Sequence, residues 1–254
     1  LQDRGYSREE AVEMELGAYL VEDSLRSQLQ KDGYTREELD ATGLFTSSPW
    51  QKLPAWLTVL WRDQAGRPLG FVARPPLSLS EEELKERGLR KYHYAYGLEK
   101  NKGFSGLSFT QASRSGSIML VEGLLDALYL NAKGAEPPAV SIGGTTLSEA
   151  QRAALERVGT KEVLLALDQD GPGQEATLRL IQKLRETDLH PLVVSWPEAY
   201  KDPDELVRSE GIEALKKAAS RAEAWPRWLA RYLVREQDIS TDRGLELALA
   251  ETSK

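Results

Sequence analysis

The sequence contains no cysteine and only two histidines, His93 and His190. Disulfides and thiolate zinc sites are therefore excluded, because both need cysteine sulfur. Any bound metal has to be held by carboxylates. Oxygen ligands favour a hard cation, with Mg²⁺ as the first choice and Mn²⁺ as the second.

Long apolar runs are also missing, since none approaches the ~18 residues that a membrane-spanning helix needs. The first residues, Leu1 to Gly5, contain neither an initiating Met nor a signal-peptide pattern, so we expect a fragment or processed product of a cytoplasmic protein. With 254 residues, 41% hydrophobic and 29% charged, the chain has the composition of a soluble globular protein. The net charge of -7 argues against a uniformly basic nucleic-acid-binding surface, so local patches have to decide that question.

The N-terminal 45 residues read as short helices. Ser7 and Thr35 each precede a glutamate by three positions, the spacing of a capping box that satisfies free N–H groups at a helix start. Between Leu57 and Arg74, two β-rich runs flank an Asp/Gly turn, which predicts a hairpin.

Residues 75 to 115 read as loop-rich and hold the most basic segment. Its cations and tyrosines are Lys85, Arg87, Arg90, Lys91, Lys100 and Lys102 with Tyr92, Tyr94 and Tyr96. Cations interleaved with aromatic rings suit single-stranded nucleic acid, whose phosphates need charge and whose bases stack. A solvated loop after the acidic run 81–83 is the alternative, and composition alone does not separate the two.

From Ser117 onward, short apolar runs alternate with helical stretches, which is typical of βαβ units and a parallel sheet. The predicted strands are 118–121, 139–142, 163–167 and 192–194. The predicted helices are 124–132, one capped by Ser148, and 174–186. Everything after Asp204 reads as helical. The sequence thus predicts an α/β fold.

Six acidic residues follow the predicted strands: Glu122, Asp126, Asp168, Asp170, Asp202 and Asp204. Ligands bind at the carboxyl ends of strands in open α/β sheets, so we expect these side chains to converge at one edge. Converging carboxylates repel one another unless a divalent cation compensates them. Such ions catalyse displacement at phosphorus in polymerases, nucleases and phosphatases. Gly171 and Gly173 are expected to let the backbone turn sharply and bring helix N–H groups toward a phosphate.

Each acidic motif alone also has an ordinary structural interpretation. Asp168 and Asp170 could form a turn or helix cap, Asp204 could be an N-cap, and Asp126 could be a solvated helix position. The order of the motifs, each after a predicted strand, favours the metal site. Pro172 stands where a haloacid-dehalogenase phosphatase has threonine and where an EF-hand has a ligand. Neither a P-loop nor a dinucleotide-binding glycine fingerprint is present.

Taken together, the motifs resemble the TOPRIM core of bacterial DnaG-type primases. The matching segments are Val121-Glu122-Gly123-Leu124-Leu125-Asp126, Gly144-Thr145-Thr146, Asp168-Gln169-Asp170-Gly171 and Asp202-Pro203-Asp204-Glu205. Further matches, in the family's order, are Arg4-Gly5, Leu16-Gly17-Ala18-Tyr19, Gly33-Tyr34, Glu38-Leu39, Gly43-Leu44, Gly66-Arg67, Gly70-Phe71, Arg74 and Lys91-Tyr92. The resemblance therefore covers nearly the whole chain.

This resemblance implies a TOPRIM parallel-sheet domain at 116–200, flanked by an N-terminal α+β nucleic-acid-binding subdomain at 1–115 and C-terminal helices at 201–254. It also implies synthesis of short RNA primers on single-stranded DNA from NTPs with Mg²⁺ or Mn²⁺. Glu122 would be a general base or metal ligand, Asp168, Asp170, Asp202 and Asp204 chiefly metal ligands, and Asp126 a supporting catalytic residue. The residues expected to bind nucleic acid or NTP are Arg62, Arg74, Lys85, Arg90, Lys91 and Tyr92.

The chain also departs from the family pattern. Leu53-Pro54-Ala55-Trp56 replaces an arginine-rich entry to the hairpin, and Tyr94-Ala95-Tyr96 replaces Asn-Ser-Pro. The family's zinc-binding and helicase-interacting modules are not in this sequence, so we expect an excised core or a reduced relative. We expect any contact with a replicative helicase to use a region that is not part of this sequence. A TOPRIM nuclease and a catalytically weak nucleic-acid-binding module remain the alternatives, and a topoisomerase is disfavoured by the short chain.

Overall fold

The computed structural model describes residues 6–20, 23–42, 45, 55–76, 78–106 and 114–236. The chain divides into two compact units, Leu1–Gly103 and Phe104–Lys254. The three functional domains expected from the sequence stay a prediction. Residues 53 and 54 of the altered hairpin entry lie outside the described ranges. No helix within those ranges combines the length and apolar character needed to cross a membrane.

The first unit is built on an antiparallel sheet of order β1-β2-β3-β4. Its elements are α1 Arg8–Glu13, β1 Gly17–Leu20, α2 Asp23–Lys31, α3 Arg36–Ala41, β2 Ala55–Arg62, β3 Pro68–Arg74, α4 Glu81–Glu86, β4 His93–Tyr94 and a 3-10 turn Lys100–Lys102. Trp56, Tyr19 and Ala73 from the strands pack with Leu84 and Leu89 in a buried cluster. Burial of these side chains on one face therefore holds the sheet to α4.

Local sequence signals located some elements of this unit and missed others. Both capping boxes are present, and the predicted hairpin is β2–β3. The expectation of helices alone before residue 45 was wrong, because 17–20 pairs with β2 as a strand. Part of the segment 75–115, which was expected to be loop-rich, is helical: the acidic run 81–83 forms the first turn of α4, where Ser80 and Glu83 form a third capping box.

The turn between β2 and β3 is organised by the buried carboxylate of Asp63. It accepts hydrogen bonds from the Ala65 N–H at 2.8 Å, the Arg67 N–H at 2.9 Å and the Arg67 Nε at 2.8 Å. Burial raises the pKa of Asp63, but the hydrogen bonds from Arg67 and Ala65 and the Arg67 charge outweigh it and lower the pKa below its usual value. The charged form of Asp63 therefore stabilises the hairpin.

We expect Asp63→Asn to lower the free energy of unfolding at pH 7 by about 2 kcal/mol, because the amide cannot accept all three hydrogen bonds. The folded-state pKa lies below the unfolded value, so this stabilisation is complete above about pH 4 and is lost as the pH falls through the folded pKa. Amide hydrogen exchange in β2 and β3 would measure the effect. The measurement is repeated at about pH 2.5, which is roughly one unit below the usual aspartate pKa. If Asp63→Asn lowers the free energy of unfolding as much there as at pH 7, this explanation is wrong.

The second unit contains the predicted α/β sheet, of order β6-β5-β7-β8-β9. The first four strands are parallel, and β9 is antiparallel to β8. Its elements are β5 Ser117–Val121, α5 Leu124–Ala132, β6 Ala139–Ser141, α6 Glu149–Arg157, β7 Glu162–Leu165, α7 Gly171–Leu184, β8 His190–Val193, α8 Pro203–Glu210, α9 Ile212–Ala219, β9 Glu223–Ala224 and α10 Trp225–Glu236. The parallel α/β part of the predicted fold class is confirmed.

The core of this unit is formed by strand residues such as Ile118 and Leu165 and by helix residues such as Leu180 and Trp228. Two details differ from the sequence prediction. The region after Asp204 is not entirely helical, because Glu223 and Ala224 pair with β8 as a fifth strand. The helix expected from Gln174 begins at Gly171, because Asp170 caps it.

Candidate metal centre

The acidic residues lie at the carboxyl ends of three adjacent parallel strands. Glu122 directly follows β5, Asp168 and Asp170 follow β7, and Asp202 is reached from β8 through the loop 194–201. Since β7 pairs with both β5 and β8, the three segments leave the sheet at the same edge. This is where open α/β sheets bind their ligands.

A lysine bridges the two carboxylates that follow β7. The Nζ of Lys201 lies 3.1 Å from Oδ2 of Asp168 and 3.3 Å from Oδ2 of Asp170. The hydrogen bond and charge of Asp168, together with those of Asp170, raise the pKa of Lys201 above its usual value, so the ammonium stays charged. Asp168 and Asp170 thus each present one carboxylate oxygen to the same cation.

Two of the aspartates also cap helices. Asp170 Oδ1 accepts a hydrogen bond from the Gly173 N–H at 3.0 Å, and Asp202 Oδ1 accepts one from the Glu205 N–H at 2.8 Å. Capping therefore fixes each carboxylate through one oxygen. The capping alternative for Asp170 is correct, but it does not exclude the cation contact, which uses the other oxygen. The alternative of Asp204 as an N-cap is wrong, because Asp202 occupies that position.

Asp204 is held by an arginine one turn further along α8. Arg208 donates from Nε at 2.7 Å and from Nη2 at 3.0 Å to the two carboxylate oxygens. The guanidinium of Arg208 also lies over the Tyr129 ring of α5, 4.1 Å from its centroid. Asp204 is thereby joined to the packing of α8 against α5, and both of its carboxylate oxygens are paired with Arg208.

Asp202 shows that negative charge accumulates at this edge. Burial raises the pKa of its carboxyl; the hydrogen bond from Glu205 opposes that shift, and the charges of Asp168, Asp204 and Glu205 add to it. Asp168 is thus close enough to influence Asp202. A cation at this place would relieve the repulsion.

Glu122 and Asp126 lie around the start of α5. The Ser141 hydroxyl donates to the Glu122 carbonyl oxygen at 3.0 Å and joins the ends of β5 and β6. The Glu122 side chain is exposed. The Asp126 carboxylate folds back over Gly123, where an added Cβ would meet its Oδ2 at 2.0 Å. Gly123 therefore gives Asp126 the room to take this position.

The donor set fits a hard divalent cation in its chemistry, because it consists of carboxylate oxygens and already holds an ammonium between two of them. Within the part of the chain that the structure describes, no three acidic or histidine side chains are close enough together to form a metal-ligand group. Asp168 and Asp170 contact the same ammonium, and the charge of Asp168 raises the pKa of Asp202. The assignment of Glu122, Asp168, Asp170, Asp202 and Asp204 as metal ligands stays a prediction.

Gln169, between the two aspartates, was not identified from the sequence as a site residue. Its backbone N–H donates to the Lys201 carbonyl at 2.9 Å. Its side chain donates to the Tyr200 carbonyl at 3.3 Å and accepts from the Trp196 N–H at 3.4 Å. Gln169 therefore ties the loop 194–201 to the segment that carries Asp168 and Asp170. Such long-range partners leave no signal in a single sequence, whereas the Asp204–Arg208 pair could have been found from its helical spacing.

The residues predicted to bind nucleic acid or NTP lie in the first unit. Some of them contact neighbouring residues, and the others are exposed. The guanidinium of Arg74 donates to the Tyr92 hydroxyl at 3.2 Å and lies 5.4 Å from the ring centroid. Arg62 donates to the Gly66 carbonyl at 2.8 Å and pairs with Glu15. The remaining three cations are exposed side chains: Lys85, Arg90 and Lys91. Their roles also stay predictions.

Comparison with known proteins gives the site a family context. A family model described as Toprim-like matches residues 119–207, which include all six acidic residues. A curated DNA primase of Clostridium acetobutylicum is 30% identical over 231 residues, with 87% of this chain and 36% of the relative covered. The chain spans 36 to 44% of the length of the first curated relatives it matches.

Solved structures give the same picture. The RNA polymerase domain of the Mycobacterium tuberculosis primase DnaG matches with a TM-score of 0.81 and 23% identity, covering 100% of this chain and 84% of that one. The same domain in complex with double-stranded DNA matches with a TM-score of 0.77 and 25% identity, covering 98% and 80%. The chain therefore shares the fold of these domains through both of its units.

Proposed function

Because this chain belongs to the family of bacterial DnaG-type primases, we propose that it is a primase catalytic core that joins ribonucleotides into short RNA primers on single-stranded DNA. The observation that carries the proposal is the cation bridge at the sheet edge. Asp168 and Asp170 both contact one positive charge, and Asp202 adds a further carboxylate beside them. Carboxylate oxygens that already hold one cation are the ligand type that Mg²⁺ prefers, and such an ion supports phosphoryl transfer.

We assign Asp168 and Asp170 as the main ligands of Mg²⁺ or Mn²⁺, with Asp202 as a further ligand. When bound, such an ion neutralises charge on the phosphoryl group and lowers the pKa of the attacking hydroxyl. The helix caps fix Asp170 and Asp202 before the ion arrives, so their carboxylates need little reorganisation. Glu122 is exposed at the adjacent strand end and is the proposed general base or additional ligand.

Asp126 and Asp204 are assigned supporting roles. Both oxygens of Asp204 are bonded to Arg208, so this residue contributes to the site by fixing the start of α8 and by its charge. Asp126 is confined above Gly123, at the start of the helix that follows Glu122. Each of the two therefore holds in place a segment that carries a proposed ligand or base.

The template and the NTP phosphates are proposed to bind residues of the first unit. Lys85, Arg90 and Lys91 are exposed cations, which suits contacts with phosphates. Arg74 is held over Tyr92 and presents a guanidinium beside an aromatic ring, a combination that suits a nucleotide strand. Arg62 is engaged with Glu15 and Gly66, so we expect its contribution to binding to be smaller.

Primer synthesis on single-stranded DNA tests the proposal. The chain is incubated with a DNA template, the four NTPs and Mg²⁺ or Mn²⁺, and a parallel reaction contains a chelator of divalent ions. We expect short ribonucleotide products that depend on the template and disappear with the chelator. Shortened DNA without ribonucleotide products would instead identify a nuclease, and DNA binding without either product would identify a binding module.

A further inference from the structure

Lys201 contacts both of the carboxylates proposed as the main ligands of the ion. Its ammonium contacts one oxygen of Asp168 and one of Asp170 at hydrogen-bonding distance. The sequence does not predict this contact. Lys201 and Asp202 follow β8, whereas Asp168 follows β7. The folding of the loop 194–201 brings the three side chains together.

The backbone on both sides of Lys201 is fixed. Its carbonyl accepts the hydrogen bond from the Gln169 N–H, and its own N–H donates to the Glu205 carboxylate at 2.7 Å. The preceding carbonyl, of Tyr200, accepts from the Trp196 indole at 2.9 Å as well as from Gln169. The Lys201 side chain therefore starts from a defined point next to the two aspartates.

The charge at the site explains what this lysine does there. Asp168, Asp170 and Asp202 together carry three negative charges when ionised, and the Lys201 ammonium compensates one of them. The Lys201 side chain is 58% exposed, so it can rotate into solvent without breaking the core. A divalent ion brings twice the charge to the same oxygens.

We propose that Lys201 is a built-in counter-ion of the Asp168–Asp170 pair, which holds the two carboxylates together without metal and competes with the divalent ion for them. The inference rests on the proposed function, since it assumes that this pair binds the metal. Its consequence is that Lys201 weakens metal binding, so that the site fills only at a higher concentration of the ion.

Mn²⁺ binding to the whole chain tests this inference without an activity assay. Free Mn²⁺ is measured by electron paramagnetic resonance for the unmodified chain, Lys201→Met and Lys201→Arg. Removing a positive charge next to the ion should tighten the dissociation constant by about tenfold in Lys201→Met. Lys201→Arg keeps the positive charge and should not tighten Mn²⁺ binding.

The thermal unfolding midpoint gives a second readout. Without metal, Lys201→Met should unfold at a lower temperature than the unmodified chain, because the two carboxylates then repel each other. Saturating Mn²⁺ should remove most of this difference, since the ion replaces the lost ammonium. Lys183→Met is the matched control: Lys183 pairs with Glu149 at 2.6 Å in the same unit, and its loss should not change Mn²⁺ affinity.

The Asp168→Asn variant separates a failure of the counter-ion inference from a failure of the proposed metal site. If Asp168→Asn weakens Mn²⁺ binding but Lys201→Met does not tighten it, the counter-ion inference is wrong and the proposed metal site stands. If Asp168→Asn leaves Mn²⁺ binding unchanged, the proposed metal site itself is wrong. Absence of Mn²⁺ binding in all variants would contradict both.

Discussion

Asp168→Asn is expected to reduce primer synthesis by about a thousandfold, because it removes one of the two carboxylates proposed to hold the metal. A bound ion supplies several kcal/mol of stabilisation to the developing charge, and about 4 kcal/mol corresponds to this factor in rate. An amide oxygen is a weaker ligand for a hard cation than a carboxylate oxygen. The measurement is the initial rate of ribonucleotide incorporation on single-stranded DNA at saturating Mg²⁺.

The loss of activity should not reflect unfolding. The Asp168 side chain is 17% exposed, and asparagine has nearly the same shape. The substituted amide would remain beside Lys201, whose ammonium keeps its contact with Asp170. The circular dichroism spectrum should therefore match that of the unmodified chain.

Asp188→Asn provides the matched control for this substitution. Asp188 is an exposed residue of the same unit and has no ion pair among the parts of the chain that the structure describes. The same chemical change there should leave the rate unaltered. Primer synthesis that survives Asp168→Asn at a rate similar to that of Asp188→Asn would rule out the proposed role of Asp168.

The second large effect is expected on the stability of the fold, at Gly173 in the segment that carries Asp168 and Asp170. Gly173→Ala is expected to lower the free energy of unfolding by about 3 kcal/mol, because a Cβ at this position has no room. It would lie 2.0 Å from the Asp168 carbonyl oxygen and 2.7 Å from the carbonyl carbon. Both atoms belong to the backbone, so the clash cannot be relieved by rotating a side chain.

Gly171→Ala is the internal comparison for Gly173→Ala. Both glycines lie in the first turn of α7, but a Cβ at Gly171 would meet nothing within 4 Å. The free energy of unfolding should therefore change by no more than about 0.5 kcal/mol at Gly171. Urea unfolding followed by circular dichroism measures both variants. Equal effects at the two positions would refute the steric explanation.

Both glycines were expected to allow a sharp backbone turn. Neither has a positive φ angle, so the turn from β7 into α7 does not use the left-handed conformation at either of them. Gly173 is needed because the Asp168 carbonyl lies directly against it, and the Gly173 N–H donates to Asp170. A substitution there is thus expected to disturb Asp168 and Asp170 as well as the stability of the fold.

Local patterns in the sequence identified many elements of the fold. The capping boxes at Ser7 and Thr35 and the N-cap at Ser148 were recognised because their hydrogen bonds join residues three positions apart. The parallel strands were recognised from apolar runs, since strands covered on both faces contain few polar residues. The strands at 17–20 and 223–224 were missed, because pairing with a distant strand stabilises them and short segments carry little periodicity.

The sequence by itself determined which carboxylates are available and that they follow strands of a parallel sheet, because hydrophobic periodicity and residue type are local properties. It also excluded thiolate ligands from any metal site, since cysteine is absent. Only the tertiary structure decided how those carboxylates are used. It placed the Lys201 ammonium between Asp168 and Asp170 and bonded Asp204 to Arg208. The Lys201 bridge requires the loop after β8 to lie next to the turn after β7. The pairing of β7 with β8 and the hydrogen bonds of Gln169 set the distance between them, and no spacing along the chain encodes it.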